Sequence, residues 1–295
     1  MSSSPVSSSI ETGLHAAQPI DVIKVLVQRS MMRVRRMPSA FIPSLIMPVF
    51  QLIAFSGAFG FAVTSLGIKN ALDWYVPLNA IQGASFGAVG VSFGLINDMQ
   101  TGFFDRILLA PTRRWVMVAA PLAAAIVRCI VPVAFVIIVG FLGGMNTPGG
   151  LLALVCLAIS AIGIGLVSCA FALGLTFRMQ NLGAASLTQF GIFFTIFLST
   201  SQVPISAMTG WLRSVARINP MTNVLRLARQ GFLGDVTWEG SWGGLLAIAV
   251  LWIISHRRLA PALVLVCDDW HQEVRPITRT FRHDELSLFP LQRIL

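Results

Sequence analysis

Charged residues are scarce in this sequence. The chain has 295 residues, and its 21 Lys and Arg together with its 12 Asp and Glu make up only 11% of them, whereas an ordinary soluble domain carries roughly 25%. Hydrophobic residues account for 55% of the chain, and the mean hydropathy is +0.78. A soluble fold of this length needs a polar surface that so few charges cannot cover. The composition therefore excludes a soluble protein and predicts an integral membrane protein with a single domain.

Motifs for catalysis and nucleotide binding are also missing. The chain has neither the G-x-x-x-x-G-K-[ST] of P-loop proteins nor the H-E-x-x-H of zinc peptidases. Its four cysteines include no C-x-x-C pair and are expected to be small packing residues. The run Gly83–Gly87 (GASFG) matches the G-x-S-x-G of hydrolases, but it lies in an apolar stretch with no histidine nearby. We expect no catalytic residue, no metal and no cofactor bound by this chain.

What the sequence does have is six long runs almost free of charge. A transmembrane helix needs about 20 consecutive apolar residues, and these runs predict six spans. Arg128 is the only charge deep within one of them, so its side chain is expected either to face the bundle interior or to snorkel towards the interface. The predicted spans are Ser39–Val63, Trp74–Asn97, Trp115–Leu142, Leu151–Phe177, Gly183–Val203 and Ser241–His256.

The two ends of the chain differ from the apolar centre. Residues 1–18 are rich in serine and are predicted to be disordered. From Pro19 to Met37 the pattern predicts an amphipathic helix, whose basic stripe (Arg29, Arg33 and Arg36) suits an anionic lipid surface. Residues 19–258 are assigned to the six-span domain and residues 259–295 to a charged tail.

The net charge of +9 also has a membrane explanation. In a soluble chain it would indicate nucleic acid as a partner, but in membrane proteins Lys and Arg concentrate at the cytoplasmic ends of spans. If the N-terminus is inside, 11 basic residues fall on the cytoplasmic side and 5 on the outer side. Four arginines between spans five and six count against this orientation. The balance still predicts that both termini are cytoplasmic, with membrane lipids and not nucleic acid as partners.

Four glycines lie on one face of the second predicted span. Gly83, Gly87, Gly90 and Gly94 are separated by four, three and four residues, which is helical spacing. Small residues let helix backbones approach closely in lipid, so the stripe predicts a helix contact. The alternative is that glycine is simply frequent in membrane helices.

Two segments carry a family resemblance. The loop Asn97–Arg114 reads NDMQTGFFDRILLAPTRR and sets Asp98 and Gly102 before an amphipathic run that Pro111 and Arg114 close. The segment 204–233, between spans five and six, contains Trp211, the pair Asn219–Pro220 and Arg229. Both segments resemble hallmark regions of type-2 ABC transporter permeases, most of all the bacterial daunorubicin-resistance type of drug and lipid exporters. The resemblance covers roughly residues 20–258, and the tail has no match in it.

The resemblance implies an all-α permease with six transmembrane helices, an N-terminal interface helix and a cytoplasmic coupling helix between spans two and three. It implies a homodimer, or a heterodimer with a paralogue, in the bacterial plasma membrane. It also implies two copies of a separate ABC ATPase, which binds ATP and Mg and drives outward movement of an amphiphile. The residues expected to couple the permease to the ATPase are Asp98, Gly102, Phe103, Phe104, Asp105, Arg106, Ile107, Leu108, Pro111 and Arg114.

Within the coupling segment, an apolar helix face is expected to dock in a groove of the ATPase. That face comprises Phe103, Phe104, Ile107 and Leu108. The alternative is an interfacial helix that lies on lipid without a partner. Two other classes of protein remain as rivals. A secondary transporter or channel should carry charges within its spans, where only Arg128 is found, and a lipid-modifying enzyme should cluster acids or histidines, which here are scattered.

Overall fold

The computed structural model describes residues 18–36, 38–109, 115–234, 236–257, 259 and 261, and the regular structure within these ranges is helical. The predicted all-α class is confirmed. The expectations for residues 1–17 and for 262–295 fall outside the described residues. The helices are α1 (Pro19–Arg36), α2 (Pro38–Ser65), α3 (Ala71–Gln100), α4 (Phe103–Leu109), α5 (Val116–Leu142), α6 (Gly150–Met179), α7 (Leu182–Phe197), α8 (Gly210–Ile218), α9 (Pro220–Arg229) and α10 (Trp238–Arg257).

Five of these helices, namely α2, α3, α5, α6 and α10, are long and apolar enough to cross a membrane. The predicted fifth span, Gly183–Val203, is helical only as α7, which has 16 residues. At 1.5 Å per residue α7 is about 24 Å long, less than the roughly 30 Å of the hydrocarbon core. The helix stops where three small polar residues, Ser199 to Ser201, precede Pro204. A count of six spans therefore stays a prediction.

The helix α3 lies at the centre of the bundle. Of its most apolar stretch 83% is buried, against 22–39% for the other candidate spans. It packs against α2, α5, α6, α7 and α9. Its many glycine, alanine and serine residues allow this crowding, because small side chains let several helices approach one backbone.

The predicted amphipathic helix is present as α1, which ends at Arg36 and packs mainly along α5. No α1 residue is buried, as expected for a helix on the outside of the bundle. Its position at a lipid surface remains a prediction.

The segment between α7 and α10 folds back on the bundle. The helix α8 is largely exposed, whereas α9 buries most of its residues against α6 and α3. The end of α9 comes close to the turn before α6, where the Gly149 amide donates a hydrogen bond of 2.7 Å to the Gly231 carbonyl. Gly231 has a φ of +77°, which favours glycine at this reversal.

Candidate functional site

The predicted coupling segment begins with a sharp reversal at Gly102. The helix α3 ends at Gln100, and the amide of Gly102 donates to the carbonyl of Met99. Gly102 has a φ of +69°, a left-handed conformation that glycine adopts without the penalty of a Cβ atom. The chain then enters α4, so that α4 is joined directly to the central helix of the bundle.

One member of the apolar face predicted to dock in the ATPase, Phe104, faces the chain's own core. Phe104 is 5% exposed, and its ring centre lies 6.0 Å from that of Phe177 on α6. Ile107 also packs against the core, and the Phe103 ring lies 3.4 Å below the guanidinium of Arg29. Phe104 is therefore buried in the chain's own core and does not lie on an exposed docking face. Phe103 and Ile107 are half-buried, so the docking of α4 in the ATPase stays a prediction.

On α4 the exposed side is polar, as far as it is described. Arg106 is exposed and therefore available to a partner. The side chains of Asp105 and Leu108, together with Pro111 and Arg114, lie outside the described residues, so their predicted coupling roles stay predictions.

Asp98 joins α3 to α1. Its carboxylate accepts hydrogen bonds from Arg29 (2.8 Å) and Arg33 (2.6 Å), and it is only 15% exposed. The two arginines are four residues apart, so they lie on one face of α1. Both hydrogen bonds go to Oδ1, so the structure gives Asp98 a role within the chain, in joining α3 to α1. Its contact with a partner stays a prediction.

The glycine stripe on α3 serves two purposes. A Cβ atom added at Gly83 would lie 3.0 Å from Pro132, and one added at Gly87 would lie 2.9 Å from the carbonyl oxygen of Arg128. These two glycines thus allow close contact with the backbone of α5. The other two make room for guanidinium groups, since Gly90 faces that of Arg128 and Gly94 faces that of Arg33. The stripe as a whole was expected to form a close helix contact. In the structure only Gly83 and Gly87 do so.

Arg128 points into the bundle. It is 6% exposed, and its Nη2 donates to the carbonyl of Ser30 on α1 at 3.2 Å. Its Nε has no partner among the described residues. Of the two predicted placements, this geometry matches a side chain that faces the bundle interior.

At the other end of the bundle, Asn219 and Pro220 start α9. The Asn219 side chain accepts from the amide of Met221 and donates to the carbonyl of Thr195 on α7 at 2.7 Å. Pro220 occupies the first helical turn, where its missing N–H costs nothing. The Asn–Pro pair therefore begins one helix and ties it to another. Trp211 of the same predicted motif is 71% exposed on α8.

Arg229 is buried and connects three segments of the chain; we call it the Arg229 clamp. It is 4% exposed, and it donates through Nε to the carbonyl of Trp74 (3.1 Å), through Nη1 to Thr200 (2.7 Å) and through Nη2 to Ser201 (3.2 Å). Its guanidinium lies 3.5 Å from the centre of the Trp74 ring. The orientation argument counted Arg229 as an outer-loop charge, but the structure shows that it holds α9, α3 and the turn after α7 together.

The sequence analysis did not identify the residues that surround Arg229, namely Trp74, Thr200 and Ser201. The indole Nε1 of Trp74 donates to the Ser201 carbonyl at 3.2 Å, beside the Arg229 contacts. The hydrogen bonds of Arg229 and Trp74 end on backbone carbonyls. Every residue has such a carbonyl, so the amino-acid sequence does not indicate which ones will accept. The two partners of Asp98 were easier to find. Arg29 and Arg33 are four residues apart, and this spacing places both on the basic stripe of α1.

Comparison with known proteins agrees with this architecture. The sequence profile of the ABC-2 type transporter family matches residues 21–233. The chain is 25% identical over 263 residues to the daunorubicin resistance ABC transporter permease protein DrrB1 of Streptomyces coeruleorubidus, covering 84% of this chain and 89% of that protein. It is also 25% identical over 270 residues to the putative transport permease ycf38 of Pyropia yezoensis, covering 86% of this chain and 90% of that protein.

These matches confirm the resemblance drawn from the two hallmark segments. The profile spans more than half of the chain and includes α1 to α9 almost entirely. The chain belongs to the ABC-2 type transporter family and is a permease subunit of a membrane transporter.

Proposed function

We propose that the chain is the transmembrane subunit of an ABC exporter in the bacterial plasma membrane. It moves a hydrophobic or amphiphilic substrate such as a drug, lipid or glycolipid outwards. A separate ABC ATPase, present in two copies, binds ATP and Mg and supplies the energy, and the permease acts as a homodimer or as a heterodimer with a paralogue. The likeness to a daunorubicin resistance permease over most of both chains carries this proposal.

The geometry of α4 supports coupling at the cytoplasmic face. A permease without its own nucleotide site has to receive mechanical work through a rigid element. Because Phe104 anchors α4 in the core and Gly102 joins it directly to α3, a force on the exposed side of α4 reaches the central helix. In this proposal Arg106, which is exposed on α4, contacts the ATPase.

The proposal is tested by expressing the chain with a candidate ABC ATPase and reconstituting the complex in vesicles. We expect the ATPase to copurify, and we expect ATP-dependent transport of daunorubicin, used as the probe. Arg106→Glu should weaken copurification and lower transport at least fivefold at equal expression, because it reverses the exposed charge on α4. The matched control is Arg213→Glu on the exposed helix α8, which should leave both readouts within twofold of the parent.

Two results would contradict the proposal. Transport without any ATPase would favour a secondary transporter or channel. Equal ATPase copurification and transport for the parent and Arg106→Glu would remove Arg106 from the coupling contact.

A further inference from the structure

A cleft between α1, α3, α5 and the starts of α2 and α7 contains cationic groups that the coupling proposal does not use. It encloses about 360 Å³, within the roughly 300–1,000 Å³ of small-molecule sites. Arg33 and Arg128 both line it. The remaining wall is largely apolar and is formed by Val34, Phe41, Phe93 and Leu182, with Asn97 and Gln100 as polar members and Gly90 and Gly94 beside the guanidinium groups.

The positive charge around this cleft exceeds the negative charge. Asp98 is shared by Arg29 and Arg33, and no ion pair is formed by Arg128 within the described ranges. Three guanidinium groups therefore face one carboxylate. Arg128 is more than nine-tenths buried, lines the cleft and forms no ion pair with any described residue. A buried, unpaired charge is costly, so an anion that enters the cleft gains the interaction that the chain does not supply.

The chemistry of the cleft selects the class of anion. Guanidinium groups bind phosphate oxygens through paired N–H donors. The apolar residues beside them suit the first part of an acyl chain. In the orientation with the N-terminus inside, the cleft lies at the cytoplasmic leaflet, where anionic lipids are abundant and basic pockets between helices bind their head groups.

We propose that the cleft between α1, α3 and α5 is a binding site for the phosphate head group of an anionic membrane lipid, held by Arg128 and Arg33. Gly90 and Gly94 keep the space that the two guanidinium groups occupy, which gives the cytoplasmic half of the glycine stripe its function. The site is independent of the ATPase, so it stands or falls separately from the transport proposal.

The test is native mass spectrometry of the purified full-length chain with phosphatidylglycerol or phosphatidylcholine of the same acyl chains. We expect phosphatidylglycerol to bind at least tenfold more tightly, with a preference that falls as salt is raised. Arg128→Gln should reduce this affinity about tenfold, and Arg128→Lys should retain most of it because the charge is kept. The control is Arg213→Gln, an exposed arginine of α8 outside the cleft and outside the basic stripe of α1, which should change the affinity less than twofold.

A second arm separates the lipid from a free phosphate. Glycerol 3-phosphate should bind far more weakly than phosphatidylglycerol, because it cannot use the apolar wall, and equal affinities would overturn the assignment to a lipid. Equal affinity of the parent for the two lipids would also overturn the proposal, and this measurement needs no variant. So would an unchanged preference in Arg128→Gln, provided that the variant unfolds at the temperature of the parent when no lipid is present.

Discussion

At the scale of single residues, this permease is organised by arginines, buried or partly buried, that donate to backbone or carboxylate oxygens. Arg229 satisfies three carbonyls from two separate parts of the chain, whereas Arg29 and Arg33 share one aspartate. In an apolar environment an unsatisfied polar group is expensive. Each of these arginines therefore fixes the position of the segments that supply its acceptors.

The first prediction concerns Arg229. Arg229→Ala removes three charge-assisted hydrogen bonds to carbonyls, of which that of Ser201 keeps the Trp74 indole as a donor, and should lower the free energy of unfolding by roughly 3 kcal/mol. Thermal unfolding in detergent would measure the loss. Arg226→Ala, on the exposed side of the same helix, should stay within about 0.5 kcal/mol of the parent. A similar small effect of both substitutions would mean that the clamp contributes little to stability.

A second prediction distinguishes the two sides of α4. Phe104→Ala should lower the free energy of unfolding by about 3–5 kcal/mol, because it opens a cavity against Phe177. Arg106→Ala should leave stability unchanged, since its side chain is exposed. The measurement is again unfolding of the purified permease, without any ATPase. If Phe104→Ala unfolds like the parent and loses only ATPase binding, the apolar face is a docking surface after all.

At the scale of elements, the central helix α3 depends on small residues on the side that meets α5. The prediction is that Gly87→Ala destabilises the permease by about 1–3 kcal/mol, as overpacking does, because the new Cβ atom would lie 2.9 Å from a backbone carbonyl of α5 that cannot move easily. Gly57→Ala on α2 is the control, since a Cβ atom there meets nothing within 4 Å. It should be neutral or slightly stabilising, as alanine favours helix over glycine. Equal tolerance of both substitutions would show that the α3–α5 contact is not tight.

The sequence predicted where the helices lie more reliably than which helices pack against one another. Long apolar runs carry their own signal, so five predicted spans reappear as α2, α3, α5, α6 and α10 with ends shifted by a few residues. The amphipathic pattern likewise predicted α1. The shortening of α7 was less visible, because Thr200 and Ser201 are compatible with a helix, and the residues that bind their carbonyls, Arg229 and Trp74, are distant in sequence.

The site was harder to predict for a related reason. An amphipathic pattern tells which face of α4 is apolar, but not whether its own chain or another protein covers that face. Phe104 and Ile107 are covered by the chain's own core. The glycine spacing correctly predicted that the four glycines share one face of α3. Whether a neighbouring backbone or a guanidinium group fills the space beside each glycine depends on how α1 and α5 pack against that face.

At the scale of the whole molecule, orientation is the property that decides which end receives the ATPase. With native cysteines replaced, Ser206→Cys should react with an impermeant thiol reagent from outside the cell, and Thr101→Cys only after the membrane is opened. Both positions are exposed in the structure. The expectation follows from the excess of basic residues on the α1 and α4 side. The reverse labelling pattern would invert the proposed topology and, with it, the coupling proposal.

The two attachments of α3 have a mechanical consequence. Near its start, the carbonyl of Trp74 is held by Arg229, and near its end the carboxylate of Asp98 is held by α1. The helix has 30 residues and is thus about 45 Å long. Its two ends are thus held by different parts of the bundle. In the proposed coupling, a tilt imposed at the α4 end is expected to displace the segments held by Arg229 at the far end, and Pro77 is the position within α3 where the helix lacks a backbone N–H and could bend.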